Sequence, residues 1–333
     1  MSKTMSSRER VLCVLGGGKP DRPPFSLNLD RRMAPRLQEK WGPNFLLDHY
    51  GVDMMDRLID LPWWRDAASE RKIRYIDDGH TVWQMDPIAD SIDDALTLDL
   101  PDPTSDTLLA GVNSLRDAHP DKAVFAFLLA PLDILWGLRR DEGLYFDIID
   151  HPAKVHEFMR RVREVLIEAA RRACALDIDM LYTGGDICGR NGPMVSPRHL
   201  REFLFDYMAD VVDIAHKAGK KVFYHTDGYV LPIVDIFVEY GYDGINPLEH
   251  RYNDPEEFLA KAGGKLMLYG GLDNCKIIPD GTPQEVRDHV RQTFDILGKE
   301  GRLIMSSHDI PVHCPEENLE AMVDEIKACR YLP

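Results

Sequence analysis

Five short apolar runs in the second half of the chain each close on polar residues that carry charge or bind metal, and each leads into a helix-like stretch. They are IDMLYTGGD (178–186), KKVFYHTD (220–227), YDGINPLE (242–249), KLMLYGGLD (265–273) and RLIMSSHD (302–309). Strands alternating with helices imply βαβ units and a parallel sheet. When such a sheet closes into a barrel, its chemistry gathers at the carboxyl ends of the strands. The pattern therefore predicts Asp186, His225, Asp227, Glu249, Asp273 and His308 around one mouth.

The intervening helices carry their own punctuation. Ser196 caps a helix that Pro197 opens and Gly219 ends, because serine accepts from the first turn and proline has no N–H to lose there. Leu200, Phe203, Leu204, Tyr207, Met208, Val211, Val212 and Ile214 recur along it at helical spacing, giving one stripe to pack on a sheet. Thr282-Pro283, Asp254-Pro255 and Cys314-Pro315 open three further amphipathic stretches in the same way.

The first half is less regular. SSRERVLCVLGGG opens as a helix stopped by glycines, and the lack of a following helix with Lys and Ser or Thr argues against a phosphate loop. PPFSLNLD (23–30) is an apolar run, MAPRLQEKWG is amphipathic, and FLLDHYGVDMMDRLID follows. RKIRYIDDGHTVWQMDP alternates about Asp78-Gly79 and predicts a hairpin outside the barrel. AVFAFLLAPL (123–132) is expected as another buried strand, followed after a short helix by the long helix of HPAKVHEFMRRVREVLIEAARRACALD.

At 333 residues the chain exceeds the roughly 250 residues typical of a βαβ barrel. The expectation is one domain over 1–333, with 1–100 an elaborated N-terminal part and 101–333 most of the barrel. A formal net charge of −16 and the lack of a basic stripe argue against nucleic acid and anionic membrane surfaces as partners. No apolar run is long enough to span a bilayer and the N-terminus lacks the apolar stretch of a signal peptide, so a cytoplasmic location is expected. Six cysteines without short paired spacings fit reduced thiols in packing positions.

The order GGDICGRNGPMVSPRHLREF, GKKVFYHTDGYVLPI, GYDGINPLE, GGLDN and IMSSHDIPVHCPEENLEAMV resembles the uroporphyrinogen-decarboxylase-like superfamily, from about Ile178 onward. The resemblance implies a (β/α)8 TIM barrel and one of two activities: decarboxylation of porphyrinogens, or transfer of a methyl group between a small molecule and a corrinoid protein. The decarboxylases carry an Arg-, Gln- and Gly-rich motif on the first strand; here that place reads PPFSLNLDRRM, with Arg31 and Arg32 but not the motif. In the zinc-dependent thiol methyltransferases a His, a Cys two residues later and a distant Cys hold the metal. The matching positions here are His225, Asp227 and His308.

Replacing thiolates by imidazole and carboxylate leaves less negative charge on zinc and a stronger Lewis acid. That suits a methyl ether, whose oxygen must be polarised or protonated, better than a thiol. The resemblance thus implies a methyltransferase that takes a methyl group from a small methoxylated, aromatic donor to the cobalt of a separate corrinoid protein. His225, Glu249 and His308 would hold Zn2+, with Asp227 a further ligand, and Asp186 would orient or protonate the leaving oxygen. The chain has no Asp-x-His-x-x-Gly corrinoid motif, so the cobalamin arrives on a partner. Its rival is a metal-independent decarboxylase using Arg31, Arg32 and Asp186. Each residue also has a plainer role: His225 bonding a loop, Glu249 capping or pairing with Arg251, Asp227 in a turn, Asp273 as a cap. His250, His313 and Trp63-Trp64 are expected on the surface or in packing, the tryptophans also suiting the wall of an aromatic pocket.

Overall fold

The computed structural model describes residues 5–61, 71–77 and 82–331. Trp63-Trp64 and the Asp78-Gly79 turn fall outside that range. In chain order the strands are β1 Met54–Leu58, β2 Tyr75–Asp77, β3 Val82–Gln84, β4 Ala123–Leu129, β5 Met180–Gly184, β6 Cys188–Gly189, β7 Gly192–Pro193, β8 Lys221–His225, β9 Gly244–Asn246, β10 Met267–Leu272 and β11 Leu303–Ser307. Seven of them form one parallel sheet in the order β1-β4-β5-β8-β9-β10-β11, with helices on its outer face.

Closure comes from the run 23–30. Phe25 bridges Met305 and Leu29 bridges Ile310, both parallel. On the other side the Asp53 N–H donates to the Phe25 carbonyl at 2.9 Å. The segment therefore fills the eighth place between β11 and β1, and the fold is a (β/α)8 TIM barrel. Pro23 and Pro24 have no N–H for a ladder, which accounts for isolated bridges where a strand would otherwise run.

The helices start where the sequence places them. Ser196 Oγ accepts from the His199 N–H at 3.2 Å, Thr282 forms a capping box with Glu285, and the Asp254 carboxylate accepts from Glu257. Cys314-Pro315 departs from that pattern. Pro315 itself takes the cap position of helix Glu316–Ala328 without a side-chain bond, while the Cys314 thiol, a weak hydrogen-bonding group, points at the Ile278 carbonyl instead.

Helix Ser7–Leu15 plugs the amino-terminal end of the barrel. Its capping box joins Ser6 to Glu9 and it ends at Gly16, with Gly17 at φ +76°. Val11, Val14 and Leu15 pack on Met54, Ala123, Met180, Phe223 and Ile304, residues of five different strands. Burying each such side chain contributes roughly 1.5–3 kcal/mol, so Val14→Asp would unseat the plug. With one end plugged, the open end is the one where β5, β8 and β11 finish. The β2–β3 hairpin pairs antiparallel as expected, but it stands over that end and lines the cavity there. Among the described residues no helix is long and apolar enough to cross a membrane.

Candidate metal centre at the barrel mouth

Register brings three strand ends side by side: Gly184 of β5 lies opposite His225 of β8, and His225 opposite Asn246 of β9. Beyond β8 the chain turns sharply at Gly228, whose φ is +85° and where a Cβ would meet the Gly189 carbonyl oxygen at 2.6 Å. Only glycine tolerates both conditions. That turn swings Asp227 back over the mouth. His308 arrives from β11, and its ring lies 5.6 Å from that of His225 at 27°. One ligand atom from each of His225, Asp227 and His308 lies within 4.8 Å of the others.

The tautomer of His225 follows from its neighbours. The Asn246 amide nitrogen donates to the Tyr269 carbonyl at 2.6 Å, so Asn246 Oδ1 faces His225 as an acceptor. His225 Nδ1 lies 2.8 Å from that oxygen and must therefore carry the proton. Tyr182 donates to the same oxygen. The lone pair is left on Nε2, the atom facing Asp186 Oδ1 at 3.7 Å. A ligating histidine whose other nitrogen donates to a fixed acceptor is the usual support of a metal site.

Asp227 shows the complementary feature. Its Oδ1 is shielded from water and has no hydrogen-bond partner among the described residues, while Oδ2 lies 3.6 Å from His308 Nε2. Burial, opposed by the two histidines, holds its carboxyl above the usual range. A buried polar atom without a partner costs about 1–3 kcal/mol. Two imidazoles and one carboxylate are hard-to-borderline donors that suit zinc with a fourth position open, so the residues present fit the ion the sequence implies.

The remaining predicted residues divide. Asp186 is exposed at the end of β5 and accepts from the Asp227 N–H at 3.3 Å, directly beside the cluster. Glu249 lies outside the three-residue group. Its Oε2 accepts from the Gly228 N–H at 2.5 Å, so it braces the turn that presents Asp227, and burial and the Asp227 charge raise its pKa. Asp273 caps the next segment, accepting from Cys275 and Lys276. His250 packs edge-on against His289, and His313 pairs with Asp280 at 3.3 Å. Arg32 is held by Asp30 and Asp77.

Sequence reading passed over Asp133, which opens helix Pro131–Asp150 just beyond β4. Gly185 packs against it so closely that a Cβ there would meet Asp133 Cβ at 2.2 Å. Desolvation, reinforced by the Asp186 charge, pushes its carboxyl up to about 7. The signal was available: an acid four residues past an all-apolar strand sits at the same level as Asp186. Tyr182 and Asn246 were also missed, since nothing local marks a residue that orients another on a neighbouring strand.

These groups line a cavity of about 820 Å³ with Asp133, Asp186, Asp227 and His308 on one part of its wall and Tyr75, Val82, Trp83, Trp136 and Arg140 on another. That volume suits a small organic ligand.

A methyltransferase from Methanosarcina mazei has the same fold at a TM-score of 0.72, with 15% identity over 97% of this chain and 99% of that one. A B12-independent methionine synthase from Shewanella sp. W3-18-1 aligns at a TM-score of 0.48 and 11% identity, over 89% of this chain and 84% of that one. No curated protein matches the sequence. The model of the uroporphyrinogen decarboxylase (URO-D) family matches residues 46–329, and the chain belongs to that family.

Proposed function

We propose that the protein is a zinc-dependent methyltransferase that moves a methyl group from a small methoxylated, aromatic donor to the cobalt of a corrinoid protein. One observation carries the reading: His225, Asp227 and His308 converge at the mouth, with the Nε2 lone pair of His225 turned outward and Asp227 Oδ1 left without a partner. The methyltransferase from Methanosarcina mazei, alike in fold, supports the same class of activity.

When bound, zinc would supply a Lewis acid toward the donor oxygen, and the partner's cobalt(I) would supply the electron pair that takes the methyl group. The chain's own residues do the rest. His225, Asp227 and His308 fix the ion, with Glu249 bracing the Gly228 turn rather than ligating. Asp186, solvent-accessible beside them, gives a hydrogen bond or proton to the oxygen as the carbon–oxygen bond breaks, so that the donor leaves as an alcohol or phenol. Asp133, held near neutrality, donates through Asp186 or directly. The hairpin and Trp136 wall off the aromatic ring.

The test is a methyl-transfer assay with purified protein, zinc and cob(I)alamin. An aryl methyl ether should be demethylated only when cob(I)alamin is present, and free thiols should be poor donors. Carbon dioxide released from a carboxylated substrate, with no methyl transfer to cobalt, would move the protein to the decarboxylase side of the family.

A further inference from the structure

Among the described residues only two non-glycine side chains stand on positive φ, Lys72 at 55° and Arg140 at 58°. Both are cationic and both line the mouth cavity. Arg140 interrupts helix Pro131–Asp150 with ψ at −178°, a region that essentially only glycine occupies without strain. Strain of that kind persists where the surrounding structure imposes it, and here it sets a guanidinium on the cavity wall.

The guanidinium is occupied on one side alone. It stacks over the Trp136 ring, 3.7 Å from the centroid, and that ring is itself fixed by a 2.9 Å bond from its Nε1 to Asp141. A guanidinium stacked by its face keeps its in-plane N–H donors for a planar anion, which it binds in a two-pronged way. No carboxylate of the described residues takes those donors in an ion pair; Asp133 and Asp141 act on Arg140 only at a distance. Arg140 is half-buried, and a partly desolvated cation whose in-plane donors meet no carboxylate of the described residues is suited to take an anion from solution.

We propose that Arg140, assisted by Lys72, is an anion subsite and that the substrate of this cavity carries a carboxylate, held at the hairpin side while its reacting end faces His225, Asp227 and His308. This deepens the functional reading above by restricting the donor to anionic methoxylated aromatics. Neutral methoxyarenes would lack the anchor. Asp186, Asp227 and Asp309, which also line the cavity, repel a carboxylate and so favour its seating at Arg140.

The experiment reads binding, not turnover, so that it stands apart from the methyl-transfer assay. Zinc-loaded protein is titrated with benzoate, benzamide, 3-methoxybenzoate and 3-methoxybenzamide, following tryptophan fluorescence and calorimetry. Each acid should bind about tenfold or more tighter than its amide, the scale of a charge-assisted hydrogen bond. Arg140→Gly should abolish that preference while raising or preserving Tm, because glycine relieves the strained φ. Arg140→Lys should keep part of it. Equal binding of acid and amide, no binding of either, or a preference that survives in Arg140→Gly would overturn the proposal. The methoxy pair reports separately on the functional reading: an anion preference shown by benzoate and 3-methoxybenzoate alike, together with no methyl transfer from the latter, would keep the subsite and reject the donor.

Discussion

The two ends of the barrel treat buried acids in opposite ways. At the plugged end, Asp53 just before β1 is fully buried and engages Arg10 at 2.7 Å and Arg22 at 2.6 Å, with the Phe25 N–H at 3.0 Å. Asp179 before β5 takes Arg8 at 2.8 Å and Arg116 at 3.2 Å. Asp243 before β9 takes Lys221 and His216. Asp53 and Asp179 each sit between two arginines, and Asp243 lies between a lysine and a histidine. At the mouth, Asp133 and Asp227 are half-buried among other acids and two imidazoles, and their pKa values rise. At the plugged end fixed arginine and lysine pairs neutralise the acids, whereas at the mouth the acids have imidazoles and one another as their nearest charged or titratable neighbours.

The sharpest way to break this contrast is to delete one acid from each end and measure unfolding in the presence of a chelator. Asp53→Ala leaves two arginines facing a cavity and should cost about 3–5 kcal/mol, the scale for breaking a buried ion pair from one side. Asp227→Asn removes a carboxylate that has lost solvation and gained no fixed cation, so metal-free stability should stay level or rise by about 1 kcal/mol. Comparable losses in both variants would erase the distinction between the two ends.

A second prediction sharpens the chemistry of the mouth. Asp186→Asn should lower methyl-transfer turnover by roughly a hundredfold, the scale of general acid catalysis, with zinc content unchanged. The loss should shrink for donors whose departing oxygen is a weak base. Zinc lost along with activity would make Asp186 a ligand instead of an acid.

The smallest effect is electrostatic and lies in the pH profile of stability. An ordinary carboxyl titrates near 3.8, and Asp133 is held up to about 7. A carboxyl that binds its proton more tightly folded than unfolded favours folding at low pH, and that contribution is lost as pH rises toward 7. Above that range the cost of ionising it in place is complete. The full shift would be worth about 4 kcal/mol, and because the side chain is partly open to solvent metal-free Asp133→Asn should gain about half of that, ~2 kcal/mol, over wild type at pH 8, with the gain falling away toward pH 4. A gain that does not vary with pH would mean the carboxyl is not buried in the way its surroundings imply.

Much of this was legible in the sequence, and the reasons differ from place to place. The five runs of the second half declare themselves because barrel strands buried on both faces are continuously apolar and end abruptly in polar residues; all five form strands where expected. His225, Asp227 and His308 could be read as neighbours because strand ends of one sheet share a level. Glu249 was expected at the mouth as a zinc ligand, whereas its carboxylate turns to the Gly228 N–H, a choice that depends on one side-chain rotation. β1 was hidden inside FLLDHYGVDMMDRLID because Asp56 and Arg57 give it no apolar run. The closing segment 23–30 was hidden by its prolines. Arg140 could not be read at all, for its backbone is strained by tertiary packing in a window that otherwise reads as helix.

The central claim is that the mouth cluster holds a metal, and elemental analysis of the purified protein and its single variants tests it most directly. The account predicts about one zinc per chain in the wild type, with far less in His225→Ala, Asp227→Asn and His308→Ala although all three remain folded, since a catalytic zinc is seldom what holds a large barrel together. Glu249→Gln should keep its zinc, because its carboxylate answers to the Gly228 N–H. Equal zinc in the wild type and the three ligand variants would contradict the site, and loss of zinc in Glu249→Gln as complete as in His225→Ala would contradict the ligand set.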